Sequence, residues 1–186
     1  MLKFNKQLHE YRYNGVKIPS VTQIIENVGL SDFSCINRRV LEIAQERGTF
    51  VHLACELFDK GVLDKNTIDS ELVGYVDGWM AFCRDFTPVW LAIEKRVYSP
   101  LGYAGMLDRK AKIKRSNIIL DIKTGGKSKA HEVQLGAYSL IEKCSKVWSL
   151  YLPGNGKYKI EENNMQRGQK TFLHALAIYQ FKNRSN

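Results

Sequence analysis

Apolar positions fall at two spacings along this chain, and the changeover comes near residue 88. Before it the spacing is helical. Val21, Ile24, Ile25 and Val28 share one face of a helix that Ser20 can cap and Gly29 can end. Ile36, Val40, Leu41 and Ile43 continue at helical spacing from a start near Ser31 or Asp32. Gly48 is expected to break that helix, and Thr49 to cap a third that runs to about Asp59. A long helix is expected over Thr67 to Phe86. Ahead of them all, Tyr11 to Ile18 reads as a β-hairpin with Asn14-Gly15 as its tight turn.

After the changeover the pattern is that of strands. Val89 to Tyr98 is rich in β-formers, and Tyr103 to Ile113 alternates, with Lys110, Lys112 and Lys114 on one face. Ser116-Asn117 is a turn. Ile118 to Lys123 reads as a central strand, apolar on both faces until its end, as a covered sheet requires. Thr124-Gly125-Gly126 ends it. A helix is expected over Ala130 to Lys143, a strand over Val147 to Leu152, a turn at Asn155-Gly156, a short strand over Lys157 to Ile160 and a helix over Met165 to Phe181. This order predicts an α/β fold: a mixed central β-sheet flanked by helices, with an N-terminal hairpin and helical region. A single domain is expected over residues 1–186, with the hairpin and helical part at 1–87, the sheet and its helix at 88–161 and a C-terminal helix at 162–186.

Composition narrows the class. A chain of 186 residues, 44% apolar and 25% charged, suits one globular domain. No apolar run nears the roughly 20 residues that cross a bilayer, and the first ten residues contain no signal-peptide core. No membrane partner is expected, and a cytoplasmic location is. Cys35, Cys55, Cys83 and Cys144 are scattered, which argues against a disulfide framework or a zinc site and for small buried apolar residues. There is no dinucleotide fingerprint. Gly125-Gly126-Lys127-Ser128 looks like the end of a phosphate-binding loop, but Leu120 stands where that loop needs its first glycine.

Charge changes the picture more. The net charge is +9, and Lys110, Lys112, Lys114, Arg115, Lys123, Lys127 and Lys129 crowd one stretch. Such a surface suits a polyanion. Lys110, Lys112, Lys127 and Lys129 are the candidate nucleic-acid contacts.

Within that stretch, Asp121 and Lys123 lie two apart on one strand and so point to one face. A carboxylate after four apolar residues is costly unless paired or metal-bound. An isolated D-x-K is more often a simple strand-end ion pair. Asp108, however, sits on the preceding strand, where a short antiparallel connection brings it against Asp121. Two carboxylates at one spot repel unless a cation lies between them. Lysine beside such an ion can orient water and stabilise charge on phosphate. His52 and Glu56 share one helix face, as do Gln134 and Tyr138.

Gly105-x-x-Asp108, Asp121-Ile122-Lys123-Thr124-Gly125 and Gln134-Leu135-x-x-Tyr138 together resemble the RecB-like branch of the PD-(D/E)XK nuclease superfamily. Arg47-Gly48-Thr49-x-x-His52 resembles that branch's helical element. Ile18-Pro19-Ser20-Val21-Thr22 resembles the opening of its phage and mitochondrial genome-maintenance exonuclease members. The resemblance implies a restriction-endonuclease-like core. It implies Asp108 and Asp121 as metal-binding acids, completed by the Ile122 backbone carbonyl. Lys123 becomes the catalytic lysine, His52 a further metal or phosphate ligand, and Gln134 and Tyr138 face the site. Glu94 matches an acidic position of the family, the alternative being a surface pair with Lys95 or Arg96. His131 and Glu132 are read as solvated surface.

The implied activity is a magnesium- or manganese-dependent deoxyribonuclease, an exonuclease in preference to an endonuclease, in phage biology or DNA repair and recombination. The partner would be DNA, single-stranded or with free ends, in a bacterium or phage-infected cell. A second copy of the chain or a recombination protein are further partners to expect. No iron–sulfur cluster is expected, because Cys144 stands alone near the C-terminus. Exposed members of Tyr11, Tyr13, Phe33 and Trp79 would stack on unpaired bases, the alternative being core packing. The rival readings are a structure-specific endonuclease with the same site and a non-catalytic nucleic-acid-binding subunit.

Overall fold

In a computed structural model of the chain, residues 1–5, 8–31 and 36–183 are described. Among them, no helix is long and apolar enough to cross a membrane. The chain opens with three antiparallel strands, β1 (Leu2–Asn5), β2 (Glu10–Tyr13) and β3 (Val16–Ile18). The expected hairpin is present as β2 and β3, with Asn14 and Gly15 both at positive φ, the geometry an Asn-Gly turn supplies. β1 adds a third strand to it, pairing Leu2 with Tyr13 and Phe4 with Tyr11.

Helix α1 (Val21–Asn27) follows. Ser20 and Gln23 close a reciprocal capping box at its start. Helix α2 (Arg38–Asp59) is next, so the break expected at Gly48 does not occur. Glycine costs only about 1 kcal/mol inside a helix. A Cβ at Gly48 would meet Thr124 Oγ1 at 3.5 Å, an ordinary contact, so Gly48 marks where α2 passes the loop that ends the central strand. The expected start near Asp32, Phe33 and Cys35 fall outside the described residues. A short 3-10 turn (Lys65–Thr67) precedes α3 (Ser70–Phe86), which Asp69 caps, so this helix begins later than Thr67.

The main sheet has five strands in the order β4 (Val89–Ser99), β5 (Tyr103–Ile113), β6 (Ser116–Lys123), β7 (Lys146–Tyr151) and β8 (Lys159–Glu162). β4, β5 and β6 form the expected antiparallel meander. Helix α4 (Lys129–Ser139) then crosses over so that β7 runs parallel to β6, and β8 returns antiparallel. Helix α5 (Met165–Lys182) closes the chain. The fold is thus mixed α/β, as the spacing change predicts.

Helices cover both faces of the sheet. Ile118, Leu120 and Ile122 pack with Val51 and Cys55 of α2 and Trp79 and Phe82 of α3. Ile119 packs on the other face with Ile24 of α1, Leu135 of α4 and Phe172 of α5. This two-sided cover explains the continuous apolar run in β6. The α4–α5 crossing is close: a Cβ on Gly136 would come within 2.2 Å of the Gly168 carbonyl carbon. Only glycine fits there, and the contact fixes the helix that carries Gln134 and Tyr138. Cys55 is buried, while Cys83 and Cys144 are half-buried; all three are free thiols.

Candidate active site

The site forms where β5 and β6 part. Their ladder runs from Ile113↔Ser116 to Arg109↔Leu120 and then stops. Beyond that point the Ile122 amide has no strand partner on the β5 side. It donates to the Asp108 Oδ2 carboxylate oxygen instead (2.8 Å). The Ile122 carbonyl accepts from His52 Nε2 on α2 (3.0 Å). The side chains of Asp108 and His52 thus replace the ladder and hold the strands apart.

A carbonyl only accepts, so Nε2 carries the ring proton in the neutral imidazole and Nδ1 faces the carboxylates. Nδ1 lies 3.6 Å from Asp108 Oδ2 and 3.8 Å from Glu94 Oε1. The ligand atoms of His52, Glu94 and Asp108 all lie within 4.8 Å of one another. A lone pair and two carboxylates gathered this closely can hold a cation. The donor set fits a divalent metal, and the second imidazole nitrogen is oriented by a backbone carbonyl, as metal-binding histidines usually are. The Ile122 carbonyl keeps a second lone pair.

Without a metal, a proton takes that place. Burial opposes a charged His52, but the nearby Asp108 and Glu94 carboxylates outweigh it and lift the imidazole from 6.5 to about 9. A folded-state value above the unfolded one stabilises fully below 6.5, and that stabilisation is lost as pH rises to about 9. In chelator, the melting-temperature gap between wild type and His52→Gln is therefore expected to be largest near about pH 6 and to close by about pH 10. A gap that stays constant across that range would contradict this placement of His52.

Glu94 is set by an unusual backbone. Ile93↔Arg109 and Lys95↔Leu107 place it directly opposite Asp108, and its φ is 45°, the left-handed region. A non-glycine residue held there costs on the order of 1–3 kcal/mol. Its carboxylate pairs with neither Lys95 nor Arg96; Arg109 Nη1 donates to Oε1 (2.7 Å). Lys95 instead reaches Glu142, and Arg96 lies over the Phe4 ring.

Asp121 and Lys123 point to the face of β6 opposite the Ile122 side chain, toward α4, and the Asp121 charge still acts on both His52 and Asp108. Asp121 is 3% exposed and lies outside the His52–Glu94–Asp108 group. Lys123 Nζ is 2.7 Å from its Oδ2, but off the direction of a hydrogen bond, so that buried oxygen has no donor among the described residues. Burial raises the Asp121 pKa, against the pull of Lys123. Lys123 Nζ also donates to Gln134 Oε1 (2.9 Å). Tyr138 is buried one turn further along α4, and its ring occupies the space a Cβ on Gly105 would need, 2.6 Å away. That contact accounts for a glycine at the start of the Gly105-x-x-Asp108 segment.

Lys112 and Lys129 are exposed, whereas Lys110 is half-buried and paired with Glu142 (2.8 Å) and Lys127 is paired with Glu161 (2.7 Å). Tyr11 and Trp79 are buried in the core, and Tyr13 stacks on Tyr98 at 3.8 Å. His131 is not solvated surface. Its Nδ1 lies 3.0 Å from the Tyr151 hydroxyl, and burial together with Lys123 pushes its pKa down to about 4. Glu132 is bound by Arg167 through both oxygens (2.7 and 2.8 Å).

Two residues at the site carry no expectation from motif or spacing rules: Arg109 and Asp59. A signal for Arg109 does exist, since it shares its strand face with Ala111 and Ile113, both buried.

No family model matches this chain, and no curated protein matches it in sequence. Among solved structures it is similar to an alkaline exonuclease (LHK-Exo) from Laribacter hongkongensis, 10% identical with a TM-score of 0.42, covering 86% of this chain and 88% of that one. It is also similar to the structure of SSO0001, 16% identical with a TM-score of 0.38, covering 76% of this chain and 73% of that one. At these values the functional reading rests on the site itself.

Proposed function

We propose that this protein is a divalent-metal-dependent nuclease that hydrolyses phosphodiester bonds of DNA, working from free ends. The observation that carries this reading is the meeting of His52, Glu94 and Asp108 within 4.8 Å at a parted strand pair, with Asp121 near enough for its charge to act on His52 and Asp108 and Lys123 joining Asp121 to Gln134. His52, Glu94 and Asp108 would hold the cation, with Asp121 and the Ile122 carbonyl as further oxygen donors. Bound magnesium or manganese would polarise the scissile phosphate and lower the pKa of a coordinated water. Lys123, tethered by Asp121 and Gln134, orients the attacking water and offsets charge building on the phosphate. Tyr138 backs the helix face that presents Gln134. Lys112 and Lys129 follow the nucleic-acid backbone. The activity suits DNA repair, recombination or phage replication.

The deciding experiment uses end-labelled linear DNA, single- and double-stranded, beside closed circular DNA, with magnesium or manganese and with chelator. Release of labelled short products from linear DNA, an intact circle and no reaction in chelator are expected. Cutting of the circle would make the enzyme an endonuclease. Full activity in chelator, or none with either metal, would overturn the metal-dependent reading.

A further inference from the structure

Arg109 is 0% exposed, at the centre of a core that also holds Trp79 and Phe82. Its Nε donates to Asp59 Oδ2 (2.6 Å), and the Asp59 side chain is itself fully buried. Its Nη1 donates to Glu94 Oε1 (2.7 Å) and to the Asp108 carbonyl (2.8 Å). Trp79 Nε1 donates to the other Asp59 oxygen (2.9 Å), and the guanidinium lies 5.4 Å over the Trp79 ring. One buried cation thus ties the C-terminal end of α2, helix α3, β4 and β5 together.

Stability alone accounts poorly for such a group. Buried ion networks can often be replaced by apolar residues of similar volume with no loss of stability, and Arg109 Nη2 has no acceptor among the described residues. What the network does specifically is local. His52 and Asp59 are seven apart on α2, two turns along nearly the same face. Fixing Asp59 on Arg109 therefore fixes the helix register that presents His52. At its other end Arg109 holds Glu94 in its left-handed backbone by one oxygen, Oε1, the one nearest His52.

We propose that Arg109 is a positioning residue that holds Glu94 in place and, through Asp59, sets α2 so that His52 meets Asp108. This rests on the metal-dependent nuclease reading. Arg109 touches neither cation nor substrate in this scheme; it acts through Glu94 and His52.

The test measures manganese binding to the full-length protein by calorimetry, and separately the manganese concentration giving half-maximal cleavage. Arg109→Met keeps roughly the volume and removes the charge and all three hydrogen bonds. It is expected to weaken manganese binding by at least about tenfold, the scale on which outer partners of metal ligands act, with a parallel rise in the half-maximal concentration. Arg109→Lys, which keeps the charge but lacks the planar fork that spans Asp59 and Glu94, is expected to fall between. Combined with Glu94→Gln, Arg109→Met should lose less than the product of the two single effects, because part of its action runs through Glu94. A folded Arg109→Met with wild-type manganese affinity, or fully multiplicative losses, would overturn the proposal. If Arg109→Met does not fold, Asp59→Asn decides: wild-type manganese affinity in that folded variant overturns the proposal equally. A wild type that neither binds manganese nor cleaves DNA would instead overturn the nuclease reading.

Discussion

Replacing Lys123 by alanine is expected to lower the DNA cleavage rate by about 10²–10⁴-fold, the contribution of one positioned proton-handling or charge-stabilising group. DNA binding is expected to stay within a few-fold of wild type. The difference follows from where the ammonium sits. Lys123 is the last residue of β6, 2.7 Å from Asp121 Oδ2 and 2.9 Å from Gln134 Oε1. Two tethers, one on a central strand and one on a helix locked by the Gly136–Gly168 approach, leave it little freedom. Removing a single ammonium changes the chain's net charge of +9 by one, whereas in that position it would act on one phosphate. The fold is expected to tolerate the change, because Asp121, already raised in pKa by burial, can take up a proton once its cation is removed. Single-turnover cleavage of end-labelled DNA and fluorescence anisotropy of the same DNA measure the two quantities. Equal losses in both would make Lys123 a binding residue, and wild-type cleavage would remove it from the site.

Features specified by nearby residues were open to sequence reading. Asn14-Gly15 forces its hairpin through local turn chemistry, and a strand's period of two puts Asp121 and Lys123 on one face wherever the strand lies. The run Ile118-Ile119-Leu120 signals a sheet covered on both sides, which α2 and α3 on one face and α4 on the other provide. The continuity of α2 was not readable, because glycine serves equally as a helix stop and as a gap for a close neighbour. At Gly48 the burial of Val51 and Cys55 in the turns beyond it carries the helix through.

The site residues divide along the same line. Asp108, Asp121, Lys123 and Gln134 lie on consecutive elements, and ordinary connections bring them near one another. Glu94 depends on a left-handed backbone with no local signature in its sequence. Arg109 stands in a lysine-rich stretch and looks like one more surface cation. Its burial depends on Asp59, fifty residues earlier in the chain, and on the ring of Trp79. The alternation of β5 does place it on an apolar face, but a charged residue there becomes intelligible only when its partners are known. His131 is similar, since Tyr151 joins it from β7 across the parallel crossover.

Asp108→Asn and Asp108→Ala are expected to be alike in activity and different in stability. Asp108 has two functions: one carboxylate oxygen accepts the Ile122 amide at 2.8 Å, and its charge faces His52 at 3.6 Å. Asparagine keeps an oxygen for the amide and loses the charge. Alanine loses both, and leaves a buried amide without an acceptor at a cost of about 1–3 kcal/mol. For a domain of this size each kcal/mol shifts Tm by about 2–4 °C. Both variants are expected to lose cleavage by roughly 10²–10³-fold or more and to bind manganese weakly. Both also remove the same charge from His52, so that effect cancels between them. The difference in Tm, measured in chelator, then reports the Ile122 amide together with the packing of the truncated side chain, with alanine lower by several degrees. Equal melting temperatures would mean the amide finds another acceptor when the strands part. Wild-type cleavage by Asp108→Asn would mean the charge at this position is not what holds the cation, and would shift that role to Glu94 and Asp121.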